Sequence, residues 1–161
     1  QTEFEDQLAR HEGILAKVSR SYAFLEADRQ DLRQEIRLQL WRAFPRYDGS
    51  RPFSTWMYRI ALNVAISWRR HASIHPPTAA LSEAEAHPSI EPNADVMALH
   101  SLIDRLEPFD RALLILTLEE LSHAEIGEIL GTTAANIATK LSRLKARLRE
   151  LNQANSWNST N

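Results

Sequence analysis

The chain has 161 residues, 43% of them apolar and 25% charged, ordinary values for a packed globular protein that exclude wholesale disorder. It contains no cysteine, which excludes disulfides, thiolate zinc sites and a cysteine nucleophile and fits a reducing compartment. A net charge of −2 argues against a strongly basic nucleic-acid binder, no apolar run approaches the roughly 18 residues of a membrane span, and no signal peptide opens the sequence, whose start at Gln1 reads as a trimmed or processed terminus.

At this length one domain or two small ones fit. Domains of about 70 residues bury only roughly 60% of their unfolded surface and often lean on partners. Charge is unevenly spread. Residues 1–72 hold 12 Lys/Arg against 9 Asp/Glu, residues 73–94 hold 3 Glu and no Lys/Arg, and residues 95–161 hold 7 Lys/Arg against 9 Asp/Glu. Within the last part Glu119, Glu120, Glu125 and Glu128 come first, and Lys140, Arg143, Lys145, Arg147 and Arg149 follow on one helix.

In chain order, Leu8, Leu15, Val18, Tyr22 and Leu25 keep helical spacing. "ADRQDLRQEIRLQLWRAF" predicts a second helix with Leu32, Ile36, Leu40 and Phe44 on one stripe, and Trp41 reads as core. In its "DLRQE" stretch Asp31, Gln34 and Glu35 share a face. That face suits either solvent or a basic partner. "PRYDGSRP" then breaks the helix. "FSTWMYRIALNVAISWRR" predicts the next one, capped by Ser54 or Thr55 and ending near His71. Its expected core stripe is Met57, Ile60, Ala61, Val64 and Trp68. The opposite side lines up Trp56, Arg59, Asn63, Ser67 and Arg70. Two readings of that side stand open. It is a strip for single-stranded DNA, with aromatic stacking, arginines on the backbone and an amide for a base edge. Or Trp56 tucks under the "PRYDGSRPF" loop and the arginines are simply solvated, which the residues alone favour.

"SIHPPTAALSEAEAHPSIEPN" carries four prolines and little apolar bulk and reads as a flexible linker. Beyond it, Leu99, Leu102, Ile103 and Leu106 predict a short helix, and Phe109, Leu113 and Leu116 a second that starts at "EP". Ser122 and Glu125 form a capping box ahead of Ile126, Ile129 and Leu130. Gly131 suits the position after a helix end, and Thr133 caps a last helix that keeps Ile137, Leu141, Leu144, Leu148 and Leu151. The tail "NQANSWNSTN" has no pattern and is expected to fray. No strand alternation occurs, so the expected fold is all-α: a helical domain over 1–72, a linker over 73–94, a second helical domain over 95–152 and a tail over 153–161.

A short helix, a turn containing glycine and a second helix make a helix-turn-helix. The first residues of such a second helix face base edges in the DNA major groove. Here these are Ala134, Ala135, Asn136, Thr139 and Lys140, with Arg143 and Arg147 placed for phosphates. The competing reading is a helical hairpin with a solvated basic face. The change from an acidic first helix to a basic second favours DNA.

Taken together, "DLRQEIRLQLWRAFPRYDG", "FSTWMYRIALNVAI", the proline-rich linker and "LSHAEIGEILGTTAANIATKLSRLKARLREL" closely resemble the extracytoplasmic-function group of bacterial sigma-70-type factors. The resemblance covers residues 8–151. It implies a two-domain cytoplasmic initiation factor that binds core RNA polymerase and directs it to promoter DNA. It assigns polymerase docking to Asp31, Leu32, Gln34 and Glu35. It assigns the minus-ten element to the helix on which Tyr58, Arg59 and Asn63 match the family, and Trp56, Ser67 and Arg70 of the same strip are expected to join them. It assigns the minus-thirty-five element to the domain with the helix-turn-helix, whose expected contact residues are then Thr133, Ala134, Ala135, Asn136, Thr139, Lys140 and Arg143. The acidic linker would thread near the polymerase cleft. The sequence departs from the family near Ser67 and Arg69, at Ala138, where a basic residue is common, and at Lys140, where Arg is usual.

The resemblance also implies control by an anti-sigma factor, often membrane-anchored, with no membrane insertion by the chain itself. No enzymatic chemistry, metal or cofactor is expected. The histidines His11, His71, His75, His87, His100 and His123 are scattered, without ligand spacing to carboxylates. A stand-alone helix-turn-helix regulator is the other reading. It predicts a dimer and tight duplex binding, and leaves the "DLRQE" face and the aromatic strip idle.

Overall fold

The computed structural model describes residues 2–74 and 102–158. Every regular element among them is a helix, and they fall into two compact units, one on each side of the undescribed stretch. Leu99, His75, His87, His100 and most of the proposed linker lie outside the described residues.

The N-terminal unit contains α1 (Thr2–Arg10), α2 (Glu12–Tyr22), α3 (Glu26–Ala43) and α4 (Phe53–Ile74). The helical spacing of the first 25 residues is divided between two helices, broken at His11. There the imidazole Nδ1 lies 2.8 Å from the Gln7 carbonyl oxygen and the ring packs on Phe53. Leu25 lies outside the core, just ahead of α3. Helices α2, α3 and α4 pack against one another pairwise, with α1 laid on α2. Leu15, Val18 and Tyr22 of α2 are buried together with Leu32, Ile36 and Leu40 of α3, three of the four residues of the predicted stripe; the fourth, Phe44, is half-buried in the turn that follows α3. Each of the buried side chains contributes about 1.5–3 kcal/mol by leaving water.

Helix α4 differs from expectation. It buries Phe53, Met57, Tyr58, Ala61, Leu62, Ala65 and Ile66. This stripe is wide because α4 packs on α2 and α3 at once. Its centre is rotated about a quarter-turn from the predicted one, which leaves Ile60, Val64 and Trp68 half-exposed. The helix begins at Phe53, with the Trp56 N–H donating to the Pro52 carbonyl at 3.2 Å. Ser54 and Thr55 therefore sit inside the first turn and are not its cap. The helix continues past His71 to Ile74. Trp41 is also not core: it is 45% exposed and packs edge-on against the buried Phe4, with ring centroids 5.4 Å apart. The loop between α3 and α4 closes through Tyr47, whose hydroxyl donates to the Arg51 carbonyl at 2.7 Å. Asp48 accepts from the Ser50 N–H at 2.9 Å.

The C-terminal unit contains a helical turn at 102–104, then α5 (Pro108–Leu118), α6 (His123–Leu130) and α7 (Ala134–Asn158). Pro108 occupies the first turn of α5, where its missing N–H costs nothing. The core is Leu106, Leu113, Ile115, Leu116, Ile126, Ile129, Ile137, Leu141 and Leu144 with Ala112, and Leu148 and Leu151 are half-buried at its edge. The buried Arg111 guanidinium pairs with Asp104 at 3.6 Å. Helix α7 runs on to Asn158, into the tail expected to fray.

Local chemistry fixes the α6–α7 turn. The Ser122 side chain accepts from the Glu125 N–H, and the Glu125 carboxylate accepts in return from the Ser122 N–H at 2.8 Å. The Ser122 hydroxyl, donating to the same carboxylate at 2.7 Å, and then the Ser122 N–H hold the Glu125 carboxyl below the usual carboxylate range. Gly131 ends α6 in the left-handed region with φ 72°. The N–H groups of Gly131 and Thr132 both donate to the Gly127 carbonyl, the 5→1 and 6→1 bonds of a helix end closed by a left-handed residue. Gly127 is required for a different reason: a Cβ there would stand 2.7 Å from the Thr132 carbonyl oxygen.

Candidate functional site

Two surfaces bring together residues singled out by sequence, one in each unit. In the N-terminal unit Asp31, Glu35, Gln39 and Ala43 recur every four residues and form one wall, along an edge of α3. Helix α4 supplies Ile60, Val64 and Trp68 as an apolar floor, and Asn63, Ser67 and His71 as a polar rim. Together they line an open groove of about 750 Å³. Glu35 accepts a hydrogen bond from the Gln39 side-chain amide at 2.8 Å, which orders that wall. The groove joins an acidic edge, an apolar floor and an amide-and-hydroxyl edge.

The predicted docking residues separate on this surface. Asp31 and Glu35 line the groove. Gln34 is exposed but stands farther round α3, outside it. Leu32 is fully buried. Its place is in the core that holds α3, which corrects its reading as a contact residue.

The predicted strip on α4 divides in the same way. Arg59, Asn63, Ser67 and Arg70 are exposed, and Asn63 and Ser67 reach the groove. Tyr58 does not belong to the strip: it is 5% exposed and faces the core, because the buried face of α4 is rotated toward it. Trp56 is half-buried. Its ring sits 5.1 Å from Tyr47, 5.2 Å from Phe53 and 6.4 Å from Phe44. It is thus tucked against the loop, and part of it remains open to solvent.

In the C-terminal unit the second surface is the first half of α7. Thr133 caps it, its Oγ1 accepting from the Asn136 N–H at 3.2 Å. Ala134, Ala135, Asn136, Thr139, Lys140 and Arg143 are all exposed. The Asn136 amide donates to the Thr132 hydroxyl at 3.1 Å, and the Thr139 hydroxyl donates to the Ala135 carbonyl at 3.1 Å. Small residues at 134 and 135 let a neighbouring surface approach the helix end closely. Asn136, Lys140, Arg143 and Arg147 stand at steps of four, three and four and form one row along α7. The row carries three cations and an amide, which suits a polyanion with hydrogen-bonding edges.

Sequence reading missed the groove residues Gln39, Ile60, Val64, Trp68 and His71. The every-fourth-residue row from Asp31 to Ala43 was visible as spacing. Its facing wall was hidden, because that depends on where α4 turns its core. Among the described residues no group of three or more His, Asp or Glu could hold a metal ion. Among them no helix is long and apolar enough to cross a membrane.

Comparisons with known proteins cover both surfaces. Sigma-70 region 2 matches residues 8–74, and Sigma-70, region 4 matches residues 96–148. The RNA polymerase sigma-E factor of Streptomyces avermitilis is 30% identical over 153 residues, 92% of this chain and 84% of that protein. CnrH of Cupriavidus metallidurans, solved in complex with the cytosolic domain of CnrY, superimposes with a TM-score of 0.70 at 25% identity, over 96% of this chain and 90% of that one. The sigma factor RpoE of Bartonella quintana, solved with the anti-sigma factor NepR, gives a TM-score of 0.73 over 95% and 98% of the two chains; at 19% identity that likeness is one of fold. The groove of α3 and α4 lies within the region 2 match and the α6–α7 turn within the region 4 match, and the chain belongs to the sigma-70 family of RNA polymerase sigma factors, in its extracytoplasmic-function group.

Proposed function

We propose that the chain is an alternative sigma factor working in the cytoplasm, which docks on core RNA polymerase through the exposed acidic and amide residues of α3 and opens promoters with α4. Asp31, Gln34 and Glu35 are the docking residues. Arg59 and Arg70 hold a strand backbone, Asn63 and Ser67 meet an unstacked base, and the open part of Trp56 offers a stacking edge. The row on α7 faces the upstream duplex. The family comprises DNA-binding initiation factors rather than enzymes, and every role assigned here is one of binding.

The observation that carries this reading is the shared groove. Asp31 and Glu35 of α3 and Asn63 and Ser67 of α4 line the same cleft, so a polymerase element on one wall and a DNA strand on the other would be held side by side. An inhibitor lying in that cleft would block both. CnrH and RpoE were solved with CnrY and NepR bound, which supports an anti-sigma partner here. Because the chain is net acidic, its free form binds duplex DNA weakly. Tethering both units on one polymerase raises the effective concentration of the second contact.

The test is Asn63→Ala in reconstituted holoenzyme. It should lower open-complex formation, read by permanganate reactivity of the promoter, by about tenfold, while polymerase binding stays as in the wild type. Equal loss of both would assign Asn63 a structural role. Tight duplex binding by a free dimeric chain would favour the stand-alone regulator instead.

A further inference from the structure

The row on α7 is flanked by α5. The Lys140 ammonium lies over the Phe109 ring, 4.9 Å from its centroid. Two helical turns farther along α7, Arg147 Nη1 lies 3.7 Å from Asp110 Oδ2. Phe109 and Asp110 are neighbours in the first turn of α5 and both are half-buried, so their positions are set by the unit's core. Lys140 is exposed and so remains open to a ligand on its outer side. One turn of α5 thus touches two of the three cations of the row and leaves the third, Arg143, untouched.

We propose that this turn tunes how the row binds DNA, with opposite signs at its two residues: Phe109 is a positioning residue that pre-orders Lys140, and Asp110 restrains Arg147. The inference rests on the reading of α7 as the duplex-facing helix. A lysine free in solvent loses rotamer freedom when it binds a phosphate or a base; one already resting on a ring has lost part of it beforehand. The Asp110 carboxylate acts the other way. It competes with DNA phosphates for one guanidinium and withholds that cation from counter-ion release.

The opposite signs separate this role from a structural one, since damage to α5 would weaken binding at both positions. The experiment measures fluorescence anisotropy of the full chain on a random-sequence DNA duplex over a salt series. Phe109→Leu should weaken binding about two- to fivefold, the range of an exposed cation–π contact. Phe109→Tyr should restore it. Asp110→Asn should tighten binding and steepen the salt slope by about 0.9, one further phosphate neutralised. In NMR spectra the Lys140 ε-methylene protons should resonate upfield in the wild type and in Phe109→Tyr, and relax to random-coil values in Phe109→Leu. If Lys140→Ala weakens binding while Phe109→Leu matches the wild type, or if Asp110→Asn weakens it, the proposal is overturned and the reading of α7 stands. If Lys140→Ala changes nothing, both fall together.

Discussion

In the N-terminal unit the polar side chains of interest stand on walls between two long helices, whereas in the C-terminal unit they stand on the outer face of one. The first arrangement depends on how α3 and α4 pack: Asp31 and Asn63 share a groove because Leu32 and Leu40 on one helix and Met57 and Ala61 on the other are buried. The second depends on a turn: the row on α7 is aimed by the Ser122–Glu125 box, the left-handed Gly131 and the Thr133 cap. Side chains that line a packed groove can be exchanged without unfolding the unit, provided the buried neighbours remain. A helix aimed by a tight turn is vulnerable through backbone positions that touch no ligand. The two units should therefore fail in different ways.

The largest effect is expected where function separates from fold. Gln34→Ala with Glu35→Lys reverses a charge on the exposed face of α3 and disturbs no buried residue. Like-charge placement at an interface costs several kcal/mol, so affinity for core polymerase should fall by at least about thirtyfold with the circular dichroism melt unchanged. Undiminished co-purification with core enzyme would remove this face from the interface.

The next effect sharpens the other side of the comparison. Gly127→Ala adds a methyl group 2.7 Å from the Thr132 carbonyl oxygen, a backbone atom that cannot swing aside. Overpacking of this kind costs about 1–3 kcal/mol. Amide exchange should show the C-terminal unit loosened and the N-terminal unit untouched. Wild-type protection throughout α6 and α7 would mean that the turn has room to spare.

A smaller effect of opposite sign lies in the preceding turn. Glu120 is exposed and has φ 58°, a left-handed conformation that costs an L-residue about 1–2 kcal/mol. Glu120→Gly removes that strain and pays back part of it as unfolded-chain entropy. Melting of the C-terminal unit should rise by the equivalent of about 1 kcal/mol. A lower melting temperature would show that the glutamate side chain, rather than its backbone, matters there.

The contrast also explains what was legible in the sequence. The capping box, the glycine at 131 and the proline that opens α5 are local signals, each readable within four residues, and the helix-turn-helix followed from them. The stripe of α3 was equally plain, because Leu32, Ile36 and Leu40 all face the same two neighbours. Helix α4 was misread by a quarter-turn. It is rich in apolar residues on several sides, and periodicity alone cannot say which of them a two-sided packing will bury. That one rotation accounts for the correction at Tyr58 and for the unexpected exposure of Ile60, Val64 and Trp68. Trp41 was misjudged because large aromatics are usually buried, yet this one lies at the unit's surface, 45% exposed, with its ring edge-on to Phe4. Gly127 and the Phe109–Lys140 contact carried no signal at all, since both arise where elements meet.

The most direct test of the central claim is run-off transcription with purified bacterial core RNA polymerase on a genomic promoter library, with and without the chain. Discrete new transcripts sharing two upstream elements, lost with Gln34→Ala/Glu35→Lys, are the predicted result. Transcripts unchanged by adding the chain, with core enzyme active and the protein folded, would contradict it.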